Sequence, residues 1–464
     1  MDRGSRTADH GPMSSILLIS SNPVHQRMAG PGIRYWEMAA HLAEKHDVTL
    51  LVPGETDLSS SKFQILRTTR KALKRCLGRA DVVITQGYKF PLDPVFLSPK
   101  PLVVDLYDPL PIEILEHRRD ASLPEAALSL AYCLARTQML LYRGDFFICS
   151  HERQRDFWLG MLVSAGRVRP ELYRKDPTLK SLIQLVPYGL PSEKPVHTRQ
   201  VLKGVQKGIA DADKVVLWGG GLWKWFDPCM VIKAIHEISR DRHDIKLVFM
   251  GAPQGPGEKE SRPSPSVAQS TEEALRISKE LGLYDKQVFF TPWIPYQERQ
   301  NYLLEADMGI STHFESLESR FAFRTRILDY LWCELPVIAT KGDFWSDFIE
   351  REGLGIVLDP KAFHQLKAAI LEMADCPEKV RYYRDNLRRV AGNFSWPAVL
   401  QPLEAFCSNS RSDAGAFRFS FPEGRHTFNT SRKMARLIGF YLRTTSAIVR
   451  YNGYQRVLNV MKNV

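Results

Sequence analysis

The sequence lacks the paired cysteines and the long apolar runs of disulfide-bonded, zinc-binding or membrane-spanning proteins. Its 464 residues include only seven cysteines, and no two form a CxxC pair. This scatter argues against a disulfide framework or a zinc site and predicts reduced thiols in a cytoplasmic protein. The longest apolar runs are strand-sized, well short of the roughly 20 residues that a membrane span needs. A chain of this length that is 44% hydrophobic suits two domains rather than one core.

Acidic residues are fewer than basic ones, 52 against 63. The net charge of +11 favours anionic partners such as nucleotides, phosphorylated lipids or membrane surfaces. No nucleic-acid motif accompanies this charge, so nucleic acid is not an expected partner. In residues 424–464 no acidic residue follows Glu423, while basic and apolar residues alternate. That segment is either a helix docked on the body or an attachment to an anionic membrane, such as the inner face of the plasma membrane. The sequence supports the two interpretations almost equally, and the absence of acidic residues slightly favours membrane attachment.

Strand and helix patterns alternate through most of the chain, which predicts an α/β protein with doubly wound parallel sheets. A first helix is predicted over 33–45 after a turn at 29–32, and Ser150 is the predicted N-cap of a later helix. Strands are predicted at residues 16–20, 48–52, 81–85, 102–106 and 146–149 in the first half, and at 214–218, 245–250, 288–291, 308–311, 336–340 and 355–358 in the second.

A glycine loop follows the first predicted strand of each half. Residues 30–34 read GPGIR and residues 219–227 read GGGLWKWFD. Glycines let backbone approach a ligand and leave helix N–H groups free to bind phosphate. The first loop is not a complete dinucleotide fingerprint, because Tyr35 stands where the third glycine belongs, and by itself it favours a plain turn. The second favours a ligand site over an aromatic domain interface, since aromatic faces stack on bases and sugars.

Charged residues crowd the junction between the strand at 308–311 and an amphipathic helix that follows it. Such a junction is a candidate site for an anionic, hydroxyl-rich ligand such as a phosphorylated sugar, because ligands of open α/β sheets bind outside the carboxyl ends of strands. A surface ion pair between Arg326 and Asp329 is the plain alternative. That pair leaves four charged residues at the helix start unexplained: Glu315, Glu318, Arg320 and Arg324.

Carboxylates elsewhere in the sequence are weaker candidates for functional-site residues. Residues 103–109 read VVDLYDP, so Asp108 is expected to face a cleft at the end of a strand. Taken alone, this motif favours a structural role for Asp108 in a turn or as an N-cap. Asp211 and Asp213 form a DxD sequence, but it precedes a strand and has no third ligand nearby. No metal site is therefore predicted.

Three segments in this order resemble a GT-B glycosyltransferase, close to the retaining glycosyltransferase family 4. They are the glycine loop at 30–32, the VPYGL turn at 186–190, which is similar to the family's IPNGV turn, and residues 329–340, which resemble the second half of the Glu-x7-Glu motif and its GLPVVAT strand. The resemblance covers roughly residues 15–405 and implies two Rossmann-like domains facing a cleft. It also implies a nucleotide-sugar donor on the second domain, most of the acceptor on the first, retention of configuration, and neither a catalytic metal nor a cofactor.

The resemblance assigns roles to individual residues and also shows departures. Asp329 falls where the second Glu of the family's Glu-x7-Glu motif holds the donor ribose. Glu318 is the nearest candidate for the first Glu of that motif. Gly221 and Phe226 stand where members usually carry the Arg and Lys that hold the diphosphate. The expected catalytic residues are Asp108, Glu318, Arg324 and Arg326, and the expected donor-binding residues are Gly30, Gly32, Gly220, Gly221, Trp223, Lys224 and Asp329.

The resemblance also divides the chain. The expected parts are a disordered N-terminus (1–13), an acceptor domain (14–190), a linker (191–213), a donor domain (214–395), a helix that crosses back to the first domain (396–410) and a basic amphipathic tail (411–464). The expected activity is sugar transfer from a nucleotide diphospho-sugar to a hydroxyl of a lipid-linked or saccharide acceptor, in surface polysaccharide or glycolipid synthesis. A non-catalytic GT-B scaffold subunit is the main alternative. An epimerase on the same scaffold stays open, whereas no lysine suggests a pyridoxal-dependent phosphorylase.

Overall fold

Two parallel sheets form the frame of the protein. The structure, a computed structural model, describes residues 13–87, 93–251 and 265–409; the basic tail and residues 1–12 of the predicted disordered N-terminus lie outside these ranges. The first sheet has the order β3-β2-β1-β4-β5-β6-β7 and the second has the order β10-β9-β8-β11-β12-β13. In each sheet the strand order reverses beside the first strand, at β1/β4 and at β8/β11, and such a reversal opens a crevice at the carboxyl ends of the strands.

All eleven predicted strands are confirmed, each within one residue at either end. Two short edge strands, β3 and β7, were not predicted, because β3 is half-exposed and β7 has only three residues. The strands are β1 Ser15–Ile19, β2 Asp47–Val52, β3 Gln64–Arg67, β4 Val82–Thr85, β5 Leu102–Asp105, β6 Phe146–Cys149, β7 Ile183–Leu185, β8 Lys214–Gly219, β9 Ile245–Met250, β10 Val288–Phe290, β11 Met308–Ser311, β12 Val337–Thr340 and β13 Gly355–Leu358.

Helices cover both faces of the sheets. They are α1 Gly30–Leu42, α2 Arg70–Arg79, α3 Asp93–Leu97, α4 Leu110–His117, α5 Leu123–Arg143, α6 Glu152–Ser164, α7 Pro170–Lys175, α8 Pro228–Ile238, α9 Pro265–Glu280, α10 Arg299–Glu305, α11 Leu317–Phe321, α12 Thr325–Trp332, α13 Phe344–Glu352, α14 Phe363–Asp375, α15 Pro377–Ala391 and α16 Trp396–Asn409, with 3-10 turns at Tyr296–Glu298 and Gly392–Phe394. Among the described residues, none of these helices has both the length and the apolar character to cross a bilayer.

Three local predictions were wrong. The turn predicted at 29–32 is the first turn of α1, which tolerates Pro31 because the first N–H groups of a helix have no intrahelical partner. The N-cap of α6 is His151 rather than Ser150. The single amphipathic helix expected after β11 is two short helices, α11 and α12, because the backbone is extended at Ala322 and Arg324.

The last described helix, α16, packs against α1 of the first domain. It follows a bridge between Leu190 and Ser395, which joins the end of the first sheet region to the start of this helix. Gly189 is required there, since a Cβ at this position would lie 2.5 Å from the Trp396 ring. Helix α16 therefore returns the chain from the second sheet to the first domain.

A buried ion pair holds the first domain together at its switch point. Arg34 of α1 donates to both carboxylate oxygens of Asp105, at 2.9 and 3.0 Å, and both side chains are inaccessible to solvent. The same guanidinium donates to the carbonyl oxygens of Val186 (2.8 Å) and Pro187 (3.0 Å). One side chain thus joins α1, β5 and the turn that ends this domain.

We predict that Arg34→Met destabilises the protein by about 3–5 kcal/mol, because it leaves the Asp105 carboxylate buried without its partner. Denaturant unfolding would measure the change. Arg67→Met is the matched control, since the Arg67–Glu55 pair has side chains 61% and 83% exposed, and exposed pairs contribute about 1 kcal/mol or less. Equal losses in the two variants would contradict the structural role of Arg34.

Candidate functional site

The second glycine loop lies at the switch point of the second sheet, directly after β8. The Tyr330 hydroxyl accepts a hydrogen bond from the Gly219 N–H at 2.8 Å and lies 3.0 Å from the carbonyl oxygens of Leu217 and Ile310. Gly220 has a φ of +81°, which favours glycine, and a Cβ there would meet no atom within 4 Å. Tyr330 of α12 therefore fixes the start of the loop, and the space beside Gly220 is open.

Arg326, at the start of α12, is a buried cation beside this loop. Its Nη2 donates to the Gly221 carbonyl oxygen at 2.8 Å. Its guanidinium lies 3.9 Å from the ring centre of Phe226 and 4.6 Å from that of Trp218. Its Nη1 has no hydrogen-bond partner among the residues that the structure describes. Burial, together with the neighbouring Arg324, lowers the pKa of Arg326 to about 9, and no carboxylate is among the described groups that act on it. A buried guanidinium without a counter-ion favours an anionic ligand.

Arg324 is engaged differently. Its Nη1 and Nη2 donate to the two carboxylate oxygens of Glu318, at 2.9 and 2.7 Å, and both side chains are buried. Burial raises the pKa of Glu318, and the charge of Arg324 opposes this rise. The Arg324 Nε lies 3.9 Å from a carboxylate oxygen of Asp343 and forms no hydrogen bond. Of the four unexplained charges, the structure brings together Glu318 and Arg324, whereas Glu315 and Arg320 are exposed.

In the first domain, Glu113 lies within electrostatic reach of this pair, and Asp108 lies near Glu113. Asp108 accepts a hydrogen bond from the Gln86 amide at 3.4 Å, and burial, with the neighbouring Asp105, raises its pKa to about 7. Burial also raises the pKa of Glu113 on α4 well above its usual range, and the charges of Asp108 and Glu318 add to this. Glu113 was not singled out from the sequence, because one Glu on a short helix gives no signal until α4 is placed against α11.

The aromatic residues after the glycine loop form part of the contact between the domains. The Trp223 and Trp225 rings stack with their centres 5.4 Å apart, and His117 of α4 packs edge-on against Trp225 at 4.9 Å. Burial lowers the pKa of His117 to about 4, so this ring is neutral near pH 7. Lys224 forms an ion pair with Asp120 of the first domain. These contacts favour the interface interpretation of Trp223 over base stacking.

Asp329 and the first glycine loop take further positions around the cleft. Asp329 accepts a hydrogen bond from Arg299 Nε at 2.9 Å, so the predicted alternative pair with Arg326 is wrong. A Cβ on Gly32 would lie 2.4 Å from the Pro23 carbonyl oxygen, which makes this glycine a packing requirement. A Cβ on Gly30 would lie 3.8 Å from the Thr325 hydroxyl, so the start of α1 faces the start of α12 across the cleft.

Comparisons with known proteins agree with this architecture. Residues 213–375 match the family model described as glycosyl transferases group 1. A D-inositol 3-phosphate glycosyltransferase of Segniliparus rotundus is 23% identical over 249 residues, which are 52% of this chain and 49% of that protein. The chain thus aligns with about half the length of that curated relative.

Solved structures match over a larger part of the chain. A sucrose-phosphate synthase from Thermosynechococcus elongatus is 16% identical, with 86% of this chain and 99% of that chain covered and a TM-score of 0.59. HepE of Anabaena, in complex with UDP-glucose, is 14% identical, with 85% and 100% covered and a TM-score of 0.59. The chain has the GT-B fold of these proteins, as the resemblance implied, and its second domain carries the match to glycosyl transferases group 1.

We predict that Asp108→Asn raises the melting temperature more at pH 8 than at pH 5. The folded chain keeps this carboxyl protonated up to about pH 7, whereas the unfolded chain releases the proton near the ordinary value of 3.8. The folded state therefore loses stability relative to the unfolded state as the pH rises through this window, and the amide removes that loss. Asp241→Asn, at an exposed position, serves as the control. The same increment at both pH values would contradict the raised pKa.

Proposed function

We propose that the chain is a glycosyltransferase of the family 4 type, which transfers a sugar from a nucleotide diphospho-sugar to an acceptor hydroxyl. The observation that carries this proposal is Arg326, a buried cation with an unpartnered Nη1 beside an open glycine loop at a sheet switch point. The bound diphosphate supplies the negative counter-charge that this guanidinium lacks. HepE is solved with UDP-glucose, which makes UDP the first nucleotide to test.

The two departures from the family pattern support a relocated cation. The family's loop Arg is replaced by Gly221, and Arg326 brings a guanidinium from α12 to the carbonyl of that same residue. The family's Lys is replaced by Phe226, whose ring lies 3.9 Å from this guanidinium. An aromatic face attracts a cation and takes no charge away from it. The positive charge is therefore supplied by the helix instead of the loop.

In the proposed reaction the anomeric C–O bond breaks and its electron pair stays with the diphosphate oxygen. Arg326 balances this charge by preorganised contact, a kind of interaction that contributes several kcal/mol to catalysis. The acceptor hydroxyl attacks from the same face, with retention, and its proton passes to the departing oxygen, so the reaction balances without a metal or cofactor. Glu318, held by Arg324, orients the sugar, and Asp108 with Glu113 faces the acceptor.

A non-catalytic scaffold is the second candidate, and two observations favour it. Arg324 commits both Nη groups to Glu318, and Asp329 is bound by Arg299. Two residues that would otherwise face a donor are thus paired within the protein. A scaffold would bind nucleotide without transferring or hydrolysing the sugar, so turnover of the bound sugar nucleotide separates the two candidates.

We predict that Arg326→Gln removes nucleotide binding while the ligand-free protein stays as stable as wild type or becomes more stable. Glutamine keeps a donor for the Gly221 carbonyl and removes an unpaired buried charge, which is costly to bury. Thermal shift with UDP, GDP, ADP, CMP and dTDP and their common sugars would measure both effects, since a ligand at 100 times its Kd adds about 2.7 kcal/mol.

Arg240→Gln is the control for this experiment, because Arg240 is 61% exposed and lies on the second domain away from the cleft. It should keep the nucleotide shift. A clear loss of ligand-free stability in Arg326→Gln, with the nucleotide shift intact, would make Arg326 a structural residue. No shift of the wild-type protein with any nucleotide would contradict the proposed donor site.

We further propose that residues 424–464 attach the protein to an anionic membrane surface, where a lipid-linked acceptor would lie. The sequence supports this, because basic residues alone carry charge after Glu423 and each Lys or Arg near such a surface contributes about 1 kcal/mol. Deletion of 424–464 should abolish co-sedimentation with vesicles that contain phosphatidylserine. Vesicles of phosphatidylcholine alone are the control and should not bind either protein. Undiminished binding of the shortened chain would refute the assignment.

A further inference from the structure

The backbone between α11 and α12 is held by the first domain. Helix α11 ends at Phe321 and α12 begins at Thr325, and Ala322 and Arg324 between them have extended backbone, with ψ values of 147° and 93°. The Arg324 side chain gives no cap to α12. A helix end leaves carbonyl groups without intrahelical partners. At this break the carbonyl of Phe321, which ends α11, and the carbonyl of Phe323 find their partners in the opposite domain.

Gln154 of α6 supplies the central contact. Its Nε2 donates to the carbonyl oxygens of Tyr107 and Phe321, both at 2.8 Å, and its Oε1 accepts from the Ser150 N–H at 2.9 Å. The side chain is inaccessible to solvent. Each polar atom of this amide thus has a partner, and one of those partners belongs to the second domain.

His151 and Tyr107 complete the contact. The His151 Nε2 donates to the same Phe321 carbonyl oxygen at 3.1 Å, and the Tyr107 hydroxyl donates to the Phe323 carbonyl oxygen at 3.3 Å. Burial lowers the pKa of His151 to about 4, so the ring is neutral and Nε2 carries the proton that it donates. The ring also stacks on Phe344 of the second domain with centres 5.1 Å apart.

We propose that Gln154, with His151 and Tyr107, positions the start of α12 and so the donor-site cation Arg326, and that docking of the first domain and nucleotide binding therefore favour each other. These residues fix the break between α11 and α12, where Arg324 is the last residue, and Arg326 follows in the first turn of α12. Without the first domain, the carbonyls of Phe321 and Phe323 lose these partners and the start of α12 loses its fixed direction. Gln154 touches neither donor nor acceptor in this scheme and acts through the backbone of 321–324. The inference rests on the proposed nucleotide site.

Gln154→Glu tests the coupling. The carboxylate keeps the size and the acceptor atom and replaces the amide donor with an oxygen that the two carbonyls repel. We expect faster hydrogen–deuterium exchange in residues 322–327, and an affinity for UDP, or whichever of GDP, ADP and dTDP binds, that falls about five- to tenfold. By reciprocity, saturating nucleotide should slow exchange at 150–155 in the wild-type protein.

Two further variants make the test decisive. His151→Phe keeps the stacking and removes one hydrogen bond, so it should act in the same direction with a smaller effect, and it remains informative if Gln154→Glu does not fold. Trp158→Phe is the control, because it removes a buried 2.9 Å bond from the same helix to the Leu106 carbonyl within the first domain. It should lower stability and leave exchange at 322–327 and nucleotide affinity unchanged.

The outcomes separate this inference from the function on which it rests. Nucleotide binding that is lost in Arg326→Gln but unchanged in both Gln154→Glu and His151→Phe would overturn the coupling and leave the donor site in place. Unchanged exchange at 322–327 in these two variants would overturn it as well. No nucleotide binding by the wild-type protein would overturn the proposed donor site and the coupling together.

Discussion

The cost of burying a guanidinium shapes the cleft of this protein. A charged group taken out of water must be compensated by a partner charge and by hydrogen bonds, or it destabilises the fold. Three of the buried arginines meet this demand in different ways. Arg34 has Asp105 and two backbone carbonyls, and Arg324 has Glu318. Among the described residues, Arg326 has only the Gly221 carbonyl and two aromatic faces. Only the last arrangement leaves a positive charge uncompensated, and that charge lies where the sheet topology opens a binding crevice.

Buried backbone carbonyls also need hydrogen-bond partners, and this need links the two domains. The extended residues between α11 and α12 free backbone carbonyls, and Gln154, His151 and Tyr107 of the first domain donate to them. On the other side of the cleft, Trp225 packs on His117 and Lys224 pairs with Asp120. The second-domain side of the cleft is therefore shaped partly by residues of the first domain. A mutation on α6 can act on the second domain without touching a ligand.

The sequence predicted the sheets well because a buried parallel strand is a nearly continuous apolar run, and this signal is local. It failed at β3 and β7, which are short edge strands, and at the break after Phe321, where nothing in the residues themselves ends a helix. That break depends on donors more than 160 positions away along the chain. It could not be seen before the two domains were placed together.

The sequence singled out the charged residues at the start of α12, but it did not predict their partners. Arg324 and Arg326 are two positions apart and look equivalent in the sequence, yet one is neutralised by Glu318 and the other is not. The pairing depends on the extended backbone at Arg324, which directs that side chain to α11 while Arg326 points to the glycine loop. In the same way Trp223 could be assigned to a ligand or to an interface until His117 was placed beside its neighbour Trp225.

The departures from the family pattern leave a positive charge beside the second glycine loop. If the diphosphate site had simply decayed, Gly221 and Phe226 would mark a loop without positive charge, and no cation would remain beneath it. Instead Phe226 packs on the guanidinium of Arg326, and that guanidinium binds the backbone of Gly221. Keeping an uncompensated cation buried at this point costs stability, and a fold free of a ligand would gain by losing it. That cost favours a chain that binds an anion in the cleft over one that has only the shape of a glycosyltransferase.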